Sequence, residues 1–239
     1  MKTIIRNFLK MLGWKLVKIK VRGPRTHPFS KPTLQDFKCI SESSGVLHLG
    51  AHRGTEAGVY DWFNKKVLWV EALPNIFNEL QYNIQKHYNQ KAICALLGDE
   101  DRKKINFYLS NKDSSCSSVF DFSPKVKNKE LWQDIDIKMN KVLKMKMRTL
   151  DSIFIENNIS ASDYNHWIID LQGAELICLK GATQSIKSCK SISVEISQKE
   201  FYSGGAKWSE IKEFLNSKNF QLFEEPKEDH TEVLFIKEN

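Results

Sequence analysis

The chain has 239 residues, 41% hydrophobic and 27% charged, with 11 glycines and 6 prolines; this fits one globular domain with a full core and excludes low-complexity and fibrous classes. Five cysteines (Cys39, Cys94, Cys116, Cys178, Cys189) are odd in number and contain no Cys-x-x-Cys pair, so neither a disulfide framework nor a cysteine zinc site is expected, and a reducing, cytoplasmic setting fits best. The net charge of +7 is uneven: residues 1–35 hold nine of the 36 basic residues and none of the 29 acids, which leaves −2 on the remainder and excludes a basic nucleic-acid-binding body.

In the extension, Ile4, Ile5, Phe8, Leu9 and Leu12 recur at helical spacing among Lys2, Arg6 and Lys10. This pattern suits either an anionic membrane surface, peripheral at its inner face, or packing on the chain's own domain or a second subunit, and the packing reading is favoured. Lys10 interrupts any apolar run a signal peptide would need, and no stretch approaches membrane-spanning length. The expected organisation is a basic amphipathic extension over 1–35 and a single domain over 36–239.

The domain alternates strand-like and helix-like segments. Val46–Leu49 is followed by a helix over Thr55–Asn64, then Val67–Val70, then a helix opened by Pro74 with Ile76, Phe77, Leu80 and Ile84 on one face; proline is tolerated in a first turn. A third strand is expected over Ala92–Leu97 and an extra one over Lys104–Leu109. Residues 111–118 are polar and serine-rich and suggest a lid or acceptor loop, and 124–146 give no clear pattern before a strand near Leu143–Arg148. Thr149 caps a short helix, His166–Asp170 is a buried-type strand, a helix runs to about Lys187, and Ser191–Glu195 is the next strand. A helix over Trp208–Lys218 precedes strands Phe220–Phe223 and Glu232–Ile236, whose short connection allows only an antiparallel pair.

Glycines at 45, 50 and 54 surround the first strand end, and the second strand ends on Glu71. Glycines admit close backbone approach to a ligand, and a carboxylate ending the second strand can accept both hydroxyls of a ribose. Glu71, Asp170 and Glu195 each end a strand, and parallel strands share one rim, where open α/β sheets bind ligands. The G-x-x-x-G turn lacks the middle glycine that admits a pyrophosphate in dinucleotide folds. With the terminal hairpin, this favours S-adenosylmethionine over a nicotinamide cofactor.

In Val46-Leu-His-Leu-Gly-Ala-His-Arg-Gly-Thr-Glu-Ala, Trp69-Val-Glu-Ala-Leu-Pro, Arg148-Thr-Leu-Asp-Ser and Ile169-Asp-Leu-Gln-Gly-Ala-Glu-Leu-Ile-Cys-Leu-Lys-Gly-Ala, the chain resembles the FkbM-type S-adenosylmethionine-dependent methyltransferases. The serines before Val119, the run from Glu195 to Gly204 and His230 are further matches; His48 stands where an aspartate is common in the family. The resemblance covers about residues 45–237. It implies a Rossmann-like class I α/β fold with a seven-stranded, mostly parallel sheet and a C-terminal antiparallel hairpin. It also implies S-adenosylmethionine as cofactor and methyl transfer to a hydroxyl of a sugar, glycan or secondary metabolite.

Attack by an alcohol needs a positioned base. Asp170 is the first candidate and Glu195 the second, although Asp170 at its strand end is equally placed to attract the sulfonium or methionyl amine. Cofactor binding is expected from His48, Gly50, Ala51, His52, Gly54, Glu71, Ala72, Ala95, Leu96 and Asp170, and acceptor binding from Ser117, Ser118, Gln172 and Tyr202. No metal site is expected, since His48 and His52 straddle a strand end and turn. Trp62, Trp69, Trp167 and Trp208 read as packing residues, and Ser117 and Ser118 have no visible base partner for a hydrolase. A nicotinamide-dependent oxidoreductase and a non-catalytic cofactor-binding module are the alternatives.

Overall fold

The computed structural model describes residues 33–101, 104–133 and 136–238. The amphipathic segment expected near the N-terminus lies outside the described residues. The first described element, α1 (Leu34–Glu42), starts at a capping box in which the Thr33 hydroxyl accepts from the Asp36 amide while the Asp36 carboxylate accepts from the Thr33 amide; this satisfies two otherwise orphaned donors.

The main sheet contains β1 (Gly45–Leu49), β2 (Lys66–Glu71), β3 (Gln90–Cys94), β7 (His166–Ile169), β8 (Ser191–Ser197), β9 (Phe220–Leu222) and β10 (His230–Lys237), in the order β3-β2-β1-β7-β8-β10-β9. Every pairing is parallel except the two made by β10, which runs antiparallel to β8 and β9. This is the expected seven-stranded, mostly parallel sheet with a terminal hairpin.

Side-chain alternation sends the two halves of each strand to opposite cores. On one face Val46, Val67, Trp69 and Ile168 meet Ile40 of α1, Tyr60 of α2 (Ala57–Trp62) and Leu80 of α3 (Pro74–Ile84). On the other, Leu47, Leu49, Trp167, Ile169 and Val194 pack on Leu150 of α5 (Leu150–Glu156), Leu179 of α6 (Glu175–Lys180) and Leu215 of α7 (Trp208–Asn216). Both faces are therefore covered, as near-continuous apolar strands require. No helix among the described residues is long and apolar enough to cross a membrane, and the five cysteines are free.

Several expectations are corrected. The strand expected over Ala92–Leu97 breaks at Ala95, whose amide donates to the Glu71 carbonyl (3.0 Å). The chain then leaves the main sheet, and β4 (Leu96–Leu97) joins a second sheet of order β4-β6-β5 with β5 (Lys104–Ser110) and β6 (Met139–Arg148). β6 starts four residues before the expected strand because it answers the whole length of β5, from Lys104↔Lys146 to Ser110↔Met139. Between them lies a short helix, α4 (Pro124–Lys127), capped by Ser123. α6 stops at Gly181 instead of running to Lys187, because Gly98 lies against that position: a Cβ on Gly181 would stand 2.0 Å from the Gly98 carbonyl oxygen. Trp69 and Trp167 are fully buried, but Trp62 is 86% exposed and does not pack in the core, since it falls at the solvent-facing end of the short α2.

Candidate functional site

A cavity of about 460 Å³ opens at the rim where β1, β2, β7 and β8 end. Ala72, Leu73, Leu96, Leu97 and Phe107 give it an apolar wall near β2 and β4, while Asp170, Gln172, Glu195 and His230 line the side near β7, β8 and β10. Glu71 stands at the junction with the glycine turn. Its Oε2 accepts from the His52 amide and its Oε1 from the Leu73 amide, each at 2.8 Å. Burial pushes its carboxyl up to about 7, against the hydrogen bonds from Leu73, His52 and Ala72. A carboxylate offers about four acceptor sites, so capacity remains beyond these amides.

The turn after β1 is held by protein contacts. Gly50 has φ +85°, and a Cβ there would stand 1.8 Å from the Asp170 carbonyl oxygen. Only glycine lets the turn after β1 lie against the turn after β7. Gly54 (φ +64°) likewise sits under Leu80, 2.5 Å from where its Cβ would be. At both positions the absence of a Cβ accommodates the protein's own chain. His52 adopts φ +46°, which turns its amide toward Glu71.

Across the rim, one side chain joins the acids. Gln172 Nε2 donates to Asp170 Oδ1 (2.5 Å) and to Glu195 Oε2 (2.8 Å), while its Oε1 accepts from the Tyr202 hydroxyl (2.7 Å). The Ser118 hydroxyl donates to the Gln172 carbonyl (2.7 Å), securing a residue held at φ +55°. Glu175 Oε1 accepts from the Leu171 and Gly173 amides at 2.9 and 3.1 Å. Burial, with the charge of Glu195, raises Glu175 to about 7 and Asp170 well above the usual carboxylate range. Glu232 faces Glu195 across the β8–β10 ladder; burial and the neighbouring acids Asp170 and Glu195 raise it too, and its Oε1 has no hydrogen-bond partner. The site is thus densely acidic, with two of its acids joined through a single amide.

Residues 48–222 match the family model described as the methyltransferase FkbM domain. The chain belongs to the FkbM methyltransferase family. Membership makes the chain a methyltransferase and removes the oxidoreductase alternative. No curated protein sequence matches the chain. Among solved structures, it is similar to magnesium protoporphyrin IX methyltransferase from Synechocystis with bound SAH (9% identity, 99% of each chain covered, TM-score 0.47). It is also similar to a TehB-like SAM-dependent methyltransferase from Corynebacterium glutamicum (8%, 100% of each chain, 0.47) and to a SAM-dependent methyltransferase from Aquifex aeolicus (10%, 97% of each chain, 0.46).

In this FkbM methyltransferase the cavity brings together His48, Gly50, Ala51, His52, Glu71, Ala72, Ala95, Leu96, Ser117, Asp170, Gln172 and Glu195 from the residues singled out in the sequence. Three are placed behind the wall instead. Gly54 packs under α3, while Ser118 and Tyr202 are buried and bond Gln172. Ser117 accepts from the Ser110 amide at 3.0 Å, which shapes the loop before it. His48 is a buried packing residue as well as a wall residue: its Nδ1 lies 2.9 Å from the Tyr60 hydroxyl and its ring stacks on Trp69 at 4.7 Å. His52 Nε2 instead meets the Asp113 carbonyl (3.2 Å) and Arg53, so the two histidines do not converge on one point. Carboxylate oxygens of Asp170, Glu175 and Glu195 do lie within 4.8 Å of one another, and each of these residues also accepts a hydrogen bond described above.

Among the cavity residues to which sequence reading gave no individual role are Lys112, Trp132 and His230. Trp132 adopts φ +54° and packs on Phe201 at 4.7 Å. It lies in the stretch without periodicity, and nothing in its spacing ties it to the rim. His230 reads in the sequence as a match to the family ahead of the last strand, without a role; β10 starts on it, two residues earlier than the pattern suggested, and thereby sets it beside Glu195.

Proposed function

We propose that this FkbM methyltransferase uses S-adenosylmethionine to methylate a hydroxyl oxygen of a sugar, glycan or secondary-metabolite acceptor. The observation that carries the reading is a single cavity with Glu71 at one end and the Asp170–Gln172–Glu195 cluster at the other. The residues fit that cofactor. Glu71 retains lone pairs for two ribose hydroxyls, the apolar wall of Ala72, Leu73, Ala95 and Leu96 suits an adenine ring, and the acids across the rim favour a cation over a phosphate. When bound, S-adenosylmethionine supplies an electrophilic methyl carbon: the acceptor oxygen bonds to it, the carbon–sulfur electron pair stays on sulfur, and the hydroxyl proton is left for the protein.

Asp170 and Glu195 are the groups available to take that proton. Proton removal in the transition state contributes on the order of a hundredfold or more, and holding acceptor and methyl in line contributes several kcal/mol. The serine loop from Lys112 to Ser117 lines the cavity. Calorimetric titration with S-adenosylmethionine and S-adenosylhomocysteine tests the reading, with Glu71→Ala alongside. Micromolar binding that weakens in the variant supports it; no binding of either compound by the native protein ends it.

A further inference from the structure

Resting on the reading just given, one question about the same site can be carried further: which of its two joined acids is the base. Asp170 and Glu195 share the Gln172 amide as donor, at 2.5 and 2.8 Å. Two acids in one buried site do not both ionise readily, so the one with the better cationic partner takes the charge. Among the described residues no basic side chain forms an ion pair with Asp170, and the charged groups around it include the acids Glu195, Glu175 and Glu232. Glu195 has His230, whose Nε2 lies 3.2 Å from Glu195 Oε1. The histidine is fixed from every side. Its Nδ1 lies 2.8 Å from the Ser197 hydroxyl, and Phe201 and Trp132 pack on the ring at 5.1 and 6.0 Å. Both ring nitrogens are occupied, so neither is left to take a proton from the acceptor directly.

We propose that His230 is a positioning residue that places the negative charge of the acid pair on Glu195, making Glu195 the proton acceptor and leaving Asp170 as the protonated partner. His230 lies beyond the matched residues 48–222. In the transfer step the acceptor O–H bond breaks as its oxygen bonds to the methyl carbon, and a Glu195 carboxylate oxygen receives the proton. Asp170, protonated, donates a hydrogen bond within the cluster instead of repelling the new charge. The groups facing Glu195 from each packed element agree with this charge distribution. Burial raises Asp170 after β7, Glu175 at the start of α6, Glu232 on β10, Cys116 in the serine loop and Tyr202 after β8 toward their neutral forms. Burial works against the His230 imidazolium, yet the hydrogen bond and charge of Glu195, with the charge of Glu175, more than offset it and raise His230 from its ordinary value.

The test reads the imidazole directly. Full-length protein labelled with carbon-13 histidine is titrated by NMR, with and without S-adenosylhomocysteine, and the His230 ring signal is identified among the six histidines by its loss in His230→Gln. In the native protein, the His230 midpoint is expected above that of free histidine. Glu195→Gln is expected to lower it by about one pH unit or more, as loss of an adjacent opposite charge does, and Asp170→Asn to leave it nearly in place. A larger fall in Asp170→Asn than in Glu195→Gln overturns the assignment, as does a native midpoint at or below that of free histidine, which needs no variant to fold. Calorimetry with S-adenosylhomocysteine on the same samples separates the two readings. Native protein that fails to bind it removes the cofactor reading, whereas binding combined with a His230 signal indifferent to Glu195 removes only the role of His230.

Discussion

Arg53 grips Asp113 with both guanidinium nitrogens, Nη1 to Oδ2 at 2.7 Å and Nη2 to Oδ1 at 3.0 Å, and so ties the turn after β1 to the serine loop 60 residues later. The same arginine donates through Nε to Glu79 of α3 at 2.5 Å. A two-pronged pair adds geometric definition that a lysine cannot reproduce. Because the loop lines the cavity, Arg53→Lys and Asp113→Asn are expected to hasten S-adenosylhomocysteine release. Asp113 is largely exposed, so the pair is worth on the order of 1 kcal/mol, or about a fivefold faster dissociation in stopped-flow. Unchanged release rates in both variants would show that the loop does not retain the cofactor.

Glu71→Ala should weaken S-adenosylhomocysteine by about tenfold or more, because hydrogen bonds to a charged group are worth on the order of 1.5–3 kcal/mol each. The effect should also follow pH in the native protein. With Glu71 raised to about 7 by burial, hydroxyl donors meet a partly protonated acceptor near neutrality, so affinity should be higher at pH 8 than at pH 6. Calorimetry at the two pH values checks this, and equal affinities would remove the ribose role.

Glu195→Gln should cut methyl transfer by about a hundredfold or more and leave S-adenosylhomocysteine affinity within a few-fold. Asp170→Asn should cost less turnover, since an amide can still donate where the protonated acid did. Parallel turnover and binding assays distinguish these outcomes. Equal loss of turnover and of cofactor binding in either variant would assign that residue to the cofactor instead.

Gly50→Ala is expected to destabilise the fold severely, by more than about 2 kcal/mol. The added Cβ would collide with backbone, the Asp170 carbonyl at 1.8 Å, at a φ of +85° that alanine adopts with strain. Gly58→Ala, where no atom lies within 4 Å of the new Cβ, is the control and should stabilise α2 slightly. Denaturant melts of the two variants decide it.

Glu56, Glu71 and Glu175 are each raised to about 7 from 4.5, chiefly by burial. An acid that binds its proton more tightly when folded stabilises fully below its unfolded value, and that contribution is lost as pH rises through the folded value. His166, buried and lowered to about 4, acts in the opposite sense only below its unfolded value of 6.5. Between pH 6.5 and 8 the carboxylates therefore dominate, and the melting temperature should fall by several degrees, at roughly 2–4 °C per kcal/mol. Glu175→Gln should flatten that fall in calorimetric scans; a melting temperature that rises across the window would contradict these burial effects.

Sequence by itself determined the alternating α/β course, the strands ending at Glu71 and just before Asp170, the tight turn at Gly50 and the terminal hairpin, while β8 runs on to Ser197, two residues past the end expected at Glu195. Those features are local, set by apolar periodicity and by the few residues that turn chemistry permits. Tertiary structure decided why they matter. Gly50 is glycine because Asp170 lies against it, the third strand breaks where the Ala95 amide meets the Glu71 carbonyl, and Gln172 links two acids that spacing shows only as separate strand ends. Trp62, helical and aromatic, read as a packing residue, yet α2 is too short to carry it under the sheet. His230 meets Glu195 only because β10 pairs back on β8 with His230 opposite Ser197. Register between distant segments is set by the packing of the whole core, and no spacing along the chain encodes it.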